Sequence, residues 1–133
     1  MILTGATGFL GRSQLKHLVA NRDVQVIHCI AVRRPGVILD TVTSDKVHVH
    51  TGDMSKPRLG MDADTAARIF SEADVVMHNG ANVSHLQHYR TLKAENVSST
   101  RELACMAAPR RIPFHYVSTA GVGLYTGQDE FHE

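Results

Sequence analysis

The stretch Thr4-Gly5-Ala6-Thr7-Gly8-Phe9-Leu10-Gly11 decides how the chain reads, because it sets three evenly spaced glycines between an apolar lead-in and an amphipathic run. The lead-in, Ile2-Leu3-Thr4, reads as the end of a strand whose beginning is clipped. After the loop, Phe9, Leu10, Leu15, Leu18 and Val19 fall at helical spacing as far as about Asn21. A strand-to-helix turn with this spacing has a physical use. One glycine permits the sharp turn, a second lets the backbone approach a pyrophosphate, and the third lets helix and strand pack closely. The helix N-terminus then offers unpaired N–H groups and a partial positive charge to phosphates. Nucleotide binding is the reading, with a purely structural turn as its competitor. Thr4, Gly5, Thr7, Gly8, Phe9, Leu10 and Gly11 are the candidate contacts.

Working outward, strands alternate with helices. Val24 to Val32 is rich in β-branched residues and fits a buried strand, after which Pro35-Gly36 breaks the pattern. Lys46 to His50 alternates Val47 and Val49 with polar residues, which suits a strand near a sheet edge. Asp62 to Ala73 reads as a helix with Ala66, Ile69 and Phe70 on one face and Asp62 or Asp64 as its cap. Asp74 to His78 is an apolar strand closing on Asn79-Gly80-Ala81. Leu92 to Ala108 has helical spacing and ends near Pro109, and Phe114 to Ser118 is the last strand. Such alternation predicts an α/β fold, a Rossmann-type doubly wound parallel sheet. Right-handed crossovers give the strand order 3-2-1-4-5. The expectation is one truncated nucleotide-binding domain over residues 1–133.

Composition narrows the function classes. With 133 residues, 43% hydrophobic and 20% charged, the chain has the profile of one globular domain rather than a disordered segment. A net charge of +1 argues against nucleic-acid and membrane-surface roles, which leave a basic excess. Cys29 and Cys105 stand in no metal-ligand spacing and suit a reducing compartment. No signal-peptide pattern precedes the loop, and the most apolar run, Val24 to Val32, is far below membrane-spanning length. A cytoplasmic protein is the default. His48 and His50 flank one strand residue and can share a face, but two imidazoles without a third ligand seldom make a metal site. His78, His85 and His88 lack such a frame as well, so no metal is expected.

The end of the second strand bears on the cofactor. An acid there would accept from the adenosine ribose hydroxyls of NAD, whereas this chain has Arg33-Arg34. A guanidinium matches a 2′-phosphate with two parallel hydrogen bonds, so NADP(H) is favoured over NAD. A surface-charge reading applies more easily to Arg34 than to Arg33. Asp53, after the third strand, has two readings that stay open: acceptor from the adenine amino group, or turn residue. Asn79, Gly80 and Ala81 are expected to line the cofactor cleft at a strand end, and Asn96 to bridge backbone groups beside it.

Together, the glycine loop, the Arg33 strand end, Gly52-Asp53, His78-Asn79-Gly80-Ala81, Glu95-Asn96-Val97 and Val117-Ser118-Thr119-Ala120 resemble the extended short-chain dehydrogenases/reductases. More closely, the chain is similar to the thioester reductase domains that end nonribosomal peptide and polyketide synthetases and carboxylic acid reductases. Ala73 to Ser84 and Pro109 to Thr119 carry the most specific part, and the likeness extends only to the front of such a domain. The resemblance implies NADPH-driven reduction of an acyl or peptidyl thioester held on a carrier protein, giving an aldehyde or, after a second hydride, an alcohol. It also implies a catalytic Ser or Thr after the fifth strand and a later Tyr-x-x-x-Lys. Thr119 matches the first member, with Ser118 beside it. Tyr89 and Lys93 have the mutual spacing of the pair, but they precede Thr119 and read as a decoy; nothing after Thr119 supplies the motif. A fragment that binds NADPH weakly and does not turn over is therefore expected. Two alternatives stand beside it: a non-catalytic NADP-sensing domain, and another extended reductase or epimerase.

Overall fold

In a computed structural model of the chain, residues 1–119 are described. Ile2–Thr4 forms β1, and all three residues are buried, as a strand covered on both faces requires. The others are β2 (Ile27–Val32), β3 (Val47–Thr51), β4 (Val76–His78) and β5 (Phe114–Tyr116). They pair in parallel in the order β3-β2-β1-β4-β5, the order expected from right-handed crossovers.

Alternation along the strands feeds two apolar layers. Ile2, Ile30 and Val76 pack with Ile69, Phe70, Leu103 and Ala107 from the helices α3 (Ala63–Glu72) and α5 (Ser99–Ala107). On the other face Leu3, Ile27 and Cys29 meet Leu15 of α1 (Phe9–Ala20) and Ile38 of α2 (Pro35–Leu39). Each such aliphatic side chain, fully buried, contributes about 2 kcal/mol. Asp62 rather than Asp64 caps α3, accepting from the Thr65 N–H at 2.8 Å.

Departures from the sequence reading are local and have causes. Pro35-Gly36 opens α2 instead of only breaking the strand pattern, because proline at the first helical position loses no hydrogen bond. The helix expected from Leu92 starts earlier, as α4 (Tyr89–Lys93), and reaches α5 through a π-helical turn at Ala94–Ser98. Phe9 and Leu10, placed on the apolar stripe of α1 by spacing, are 92% and 44% exposed. The stripe begins at Gly11 and Leu15 instead.

One irregularity aims a site residue. The β2–β3 register runs Ile27↔Val47 to Cys29↔Val49 and resumes at Val32↔Thr51, so β2 carries one extra residue. Ala31 takes it up at φ 57°, rare for a residue with a side chain. Ile30 and Ala31 both pack toward the α3–α5 layer, Val32 returns to the α1 layer, and Arg33 emerges on the α3–α5 side.

Candidate functional site

The glycine loop closes against the end of β4. Gly5 has φ +69°, and a Cβ there would lie 2.8 Å from Asn79 and Gly80 backbone atoms. A Cβ on Gly11 would come within 2.0 Å of the Gly5 carbonyl oxygen, so helix and loop meet backbone to backbone. Gly8 is the N-cap of α1; among the described residues no side chain caps the helix, and its first turn holds no acid. An uncapped N-terminus of a twelve-residue helix presents spare donors and positive charge to whatever lies in front of it.

In front lies a groove of about 520 Å³ at the C-terminal ends of the strands. Gly5, Thr7, Gly8, Phe9, Leu10, Arg33, Asn79, Gly80 and Ala81, all read from sequence, line it. Ala31, Arg34, Met54 and Val83 line it too and were not singled out as contacts. Thr4 and Gly11 are buried beneath it. A second groove, of about 400 Å³, adjoins it through Asn79, Ala81 and Val83 and contains Asn96, Ser118 and Thr119. Tyr89 and Lys93 line neither.

The hydroxyl of Thr4 is spent on the fold. It accepts from the Asn79 N–H at 3.1 Å and the Gly80 N–H at 2.9 Å, which leaves its own proton for His78 Nδ1 at 2.7 Å. His78 therefore carries its hydrogen on Nε2 and donates to Thr100 Oγ1 at 2.8 Å, and Thr100 donates to the Asn96 carbonyl at 2.6 Å. The relay ties the loop, β4 and the π-helical turn together through a ring that is 0% exposed. Burial pushes the His78 pKa down to about 4, so the ring stays neutral. Asn96 completes the wall: its amide donates to the Asn82 carbonyl at 2.9 Å and accepts from the Asn82 N–H at 2.7 Å.

Arg33 is not alone, as its place in the sequence suggested. Its guanidinium donates to Asp53 at 3.1 Å and also to Glu95. Asp53 further accepts from the Ser55 N–H at 2.8 Å and hydroxyl at 2.7 Å. Those bonds, with Arg33, hold its pKa down at about 2. Arg34 lines the same groove, and its side chain has no ion-pair or hydrogen-bond partner among the described residues. Glu95 was missed because only the sheet order brings residue 95 to residue 33.

Among the described residues no helix is long and apolar enough to cross a membrane. Over residues 37–133 the chain matches the NAD-binding family described as Male sterility protein. It is 50% identical, over 135 aligned residues, to a polyketide synthase-nonribosomal peptide synthetase of Pyricularia oryzae, covering 100% of this chain and 3% of that protein. The value is 47% over 134 residues for one of Aspergillus clavatus, with the same two coverages. The solved terminal R domain of the myxalamid PKS-NRPS pathway is 33% identical with a TM-score of 0.79, covering 91% of this chain and 35% of that one. A reductase domain of a Mycobacterium tuberculosis nonribosomal peptide synthetase is 30% identical with a TM-score of 0.78, covering 93% and 34%. The chain thus spans 3% of these curated relatives and about a third of the solved reductase domains. It belongs to the NAD-binding male sterility protein family, among the extended short-chain dehydrogenases/reductases that include the reductase domains of polyketide and nonribosomal peptide synthetases.

Proposed function

We propose that the chain is the NADP(H)-binding part of a reductase that acts on acyl or peptidyl thioesters held by a carrier protein. One observation carries the cofactor reading: the uncapped N-terminus of α1 and the two guanidinium-bearing residues Arg33 and Arg34 line the same groove. Phosphates at both ends of one ligand fit that arrangement. The glycine positions suit close backbone approach, since a Cβ at Gly5 or Gly11 would strike backbone. When bound, NADPH supplies a hydride. Residues of the chain bind and orient around it: the α1 N-terminus takes the pyrophosphate, Arg33 and Arg34 the 2′-phosphate, and the Asn96–Asn82 bridge fixes the wall between the grooves. Thr119, in the second groove, would donate to the substrate carbonyl oxygen, where charge develops during reduction.

The thioester substrate and the carrier-protein partner come from the relatives, which are synthetases and their reductase domains. A cytoplasmic location belongs to the same proposal. No Tyr-x-x-x-Lys follows Thr119 in the sequence, and we propose that the 133-residue chain binds cofactor without turning over. NAD(H) is the second reading, favoured by the carboxylates of Asp53 and Glu95 beside Arg33, which suit ribose hydroxyls. Calorimetric titration of the chain with NADPH and NADH separates the two, and tighter binding of NADPH is expected. Equal or tighter binding of NADH would overturn the cofactor assignment. Loss of NADPH absorbance on adding an acyl thioester would overturn the inactivity.

A further inference from the structure

Arg33 is the residue best placed to select a 2′-phosphate, yet two carboxylates already hold it. Arg33, Asp53 and Glu95 together carry −1 and Arg34 in the same groove brings the count only to zero, while the Arg33 guanidinium that a phosphate would grip is already occupied. A phosphate cannot simply be added to this cluster; one carboxylate has to leave. Asp53 is the poor candidate. Its carboxylate also holds the Ser55 hydroxyl and N–H, and its own N–H donates to the Leu59 carbonyl at 2.9 Å. Glu95 is the good one, because among the described residues its carboxylate has Arg33 as its one partner.

We infer that Glu95 is an internal stand-in for the 2′-phosphate, occupying Arg33 until the ligand displaces it, and so sets how strongly the chain prefers NADP(H) to NAD(H). This rests on the NADP(H) reading of the groove. Two features of the backbone make it possible. The extra residue at Ala31 brings Arg33 out on the α3–α5 side, and the π-helical turn carries Glu95 toward it while the next residue, Asn96, reaches Asn82. Wide turns of this kind often mark functional positions. The Arg33 side chain is 52% exposed and that of Glu95 15%, so water weakens the pair from the arginine side, and the displaced carboxylate has to swing outward to be hydrated. A phosphate, with more charge and two parallel acceptors, competes well for the same fork. NAD(H), lacking the phosphate, leaves Glu95 in place.

The test is calorimetric titration of the full chain and its Glu95→Gln and Glu95→Ala variants with NADP+ and NAD+. Far-UV circular dichroism and thermal melts check that each variant is folded. Removing the stand-in is expected to tighten NADP+ by about fivefold, the scale of one exposed ion pair. NAD+ is expected to stay within about twofold. Unchanged or weaker NADP+ binding in both variants, with the parent chain still preferring NADP+, overturns the role of Glu95 and leaves the cofactor reading standing. Equal tightening of both ligands overturns it as well. A parent chain that prefers NAD+, or binds neither, removes the cofactor reading and this inference with it.

Discussion

Two buried histidines, one at each end of the sheet, are treated oppositely by the fold. His78, at the C-terminal end of β4, is 0% exposed and bonded through both ring nitrogens. His28, near the start of β2, is 3% exposed; its Nδ1 lies 3.1 Å from His50 Nε2, and its own Nε2 has no hydrogen-bond partner among the described residues. Glu72 approaches that nitrogen at 3.7 Å, beyond hydrogen-bond reach, and is half exposed. Burial is the first cause pushing both pKa values down to about 4. For His28 the neighbouring His50, the N-terminal amine and His48 add to it and Glu72 opposes it. The difference teaches where polar groups are organised. Beneath the grooves each one has a defined direction, whereas at the far end the imidazoles of His28, His48 and His50 crowd together 5.3–5.4 Å apart without a completed network.

Substitution is the sharpest way to break this comparison. His78→Leu leaves the Thr4 and Thr100 hydroxyls without their ring partner inside the protein and is expected to cost about 3 kcal/mol in urea unfolding. His28→Leu, which removes a ring already half unsatisfied, should cost less than about 1 kcal/mol. Equal losses would mean that the relay is no better organised than the far-end cluster.

Acid gives the next effect. In the fold both rings stay neutral down to about 4, while an unfolded imidazole takes its proton near 6.5. Between those values the unfolded chain binds more protons, so stability is full above 6.5 and falls as pH drops toward 4. The slope is at most about 1.4 kcal/mol per pH unit for each ring. Melting temperatures followed across that window should decline, and less steeply in His28→Leu by one ring's share. A flat profile would mean that the rings are protonated in the fold. Thr100→Val removes the end of the relay and should cost about 1 kcal/mol, well below the loss in His78→Leu. Its unfolding midpoint, set beside that of His78→Leu, shows how much of the relay depends on its last link.

Much of the fold was legible because its signals are local. The glycine loop, the apolar strands and the Asp62 cap each act within a few residues, and the parallel alternation then leaves few topologies. The floor of the groove was legible for the same reason, through Gly5, Gly8 and Asn79-Gly80-Ala81. What escaped depends on distance or on backbone phase. Glu95 meets Arg33 across 62 residues, and only the pairing of β3 with β2 brings His48 and His50 beside His28. Helical spacing put Phe9 in the core because periodicity cannot see that the first turn of α1 overhangs a groove. Arg34, to which a surface-charge reading applied more easily than to Arg33, lines that groove because α2 begins one residue later and holds the chain close.

The extra residue in β2 changes which way Arg33 faces without changing how far along the sheet it stands. Deleting Ala31 would restore an ordinary ladder with Val32 and Arg33 still facing as they do, since the bulge adds one residue and then returns to phase. It would also leave Val32 opposite Thr51 and Arg33 at its present height along the sheet, because the bulge sets two residues of β2 against one of β3. Kept in the sequence but flattened into a regular ladder, Ala31 would instead turn Arg33 to the α1 face, so a graft of this strand end onto a regular sheet would have to omit it to keep Arg33 on the α3–α5 side.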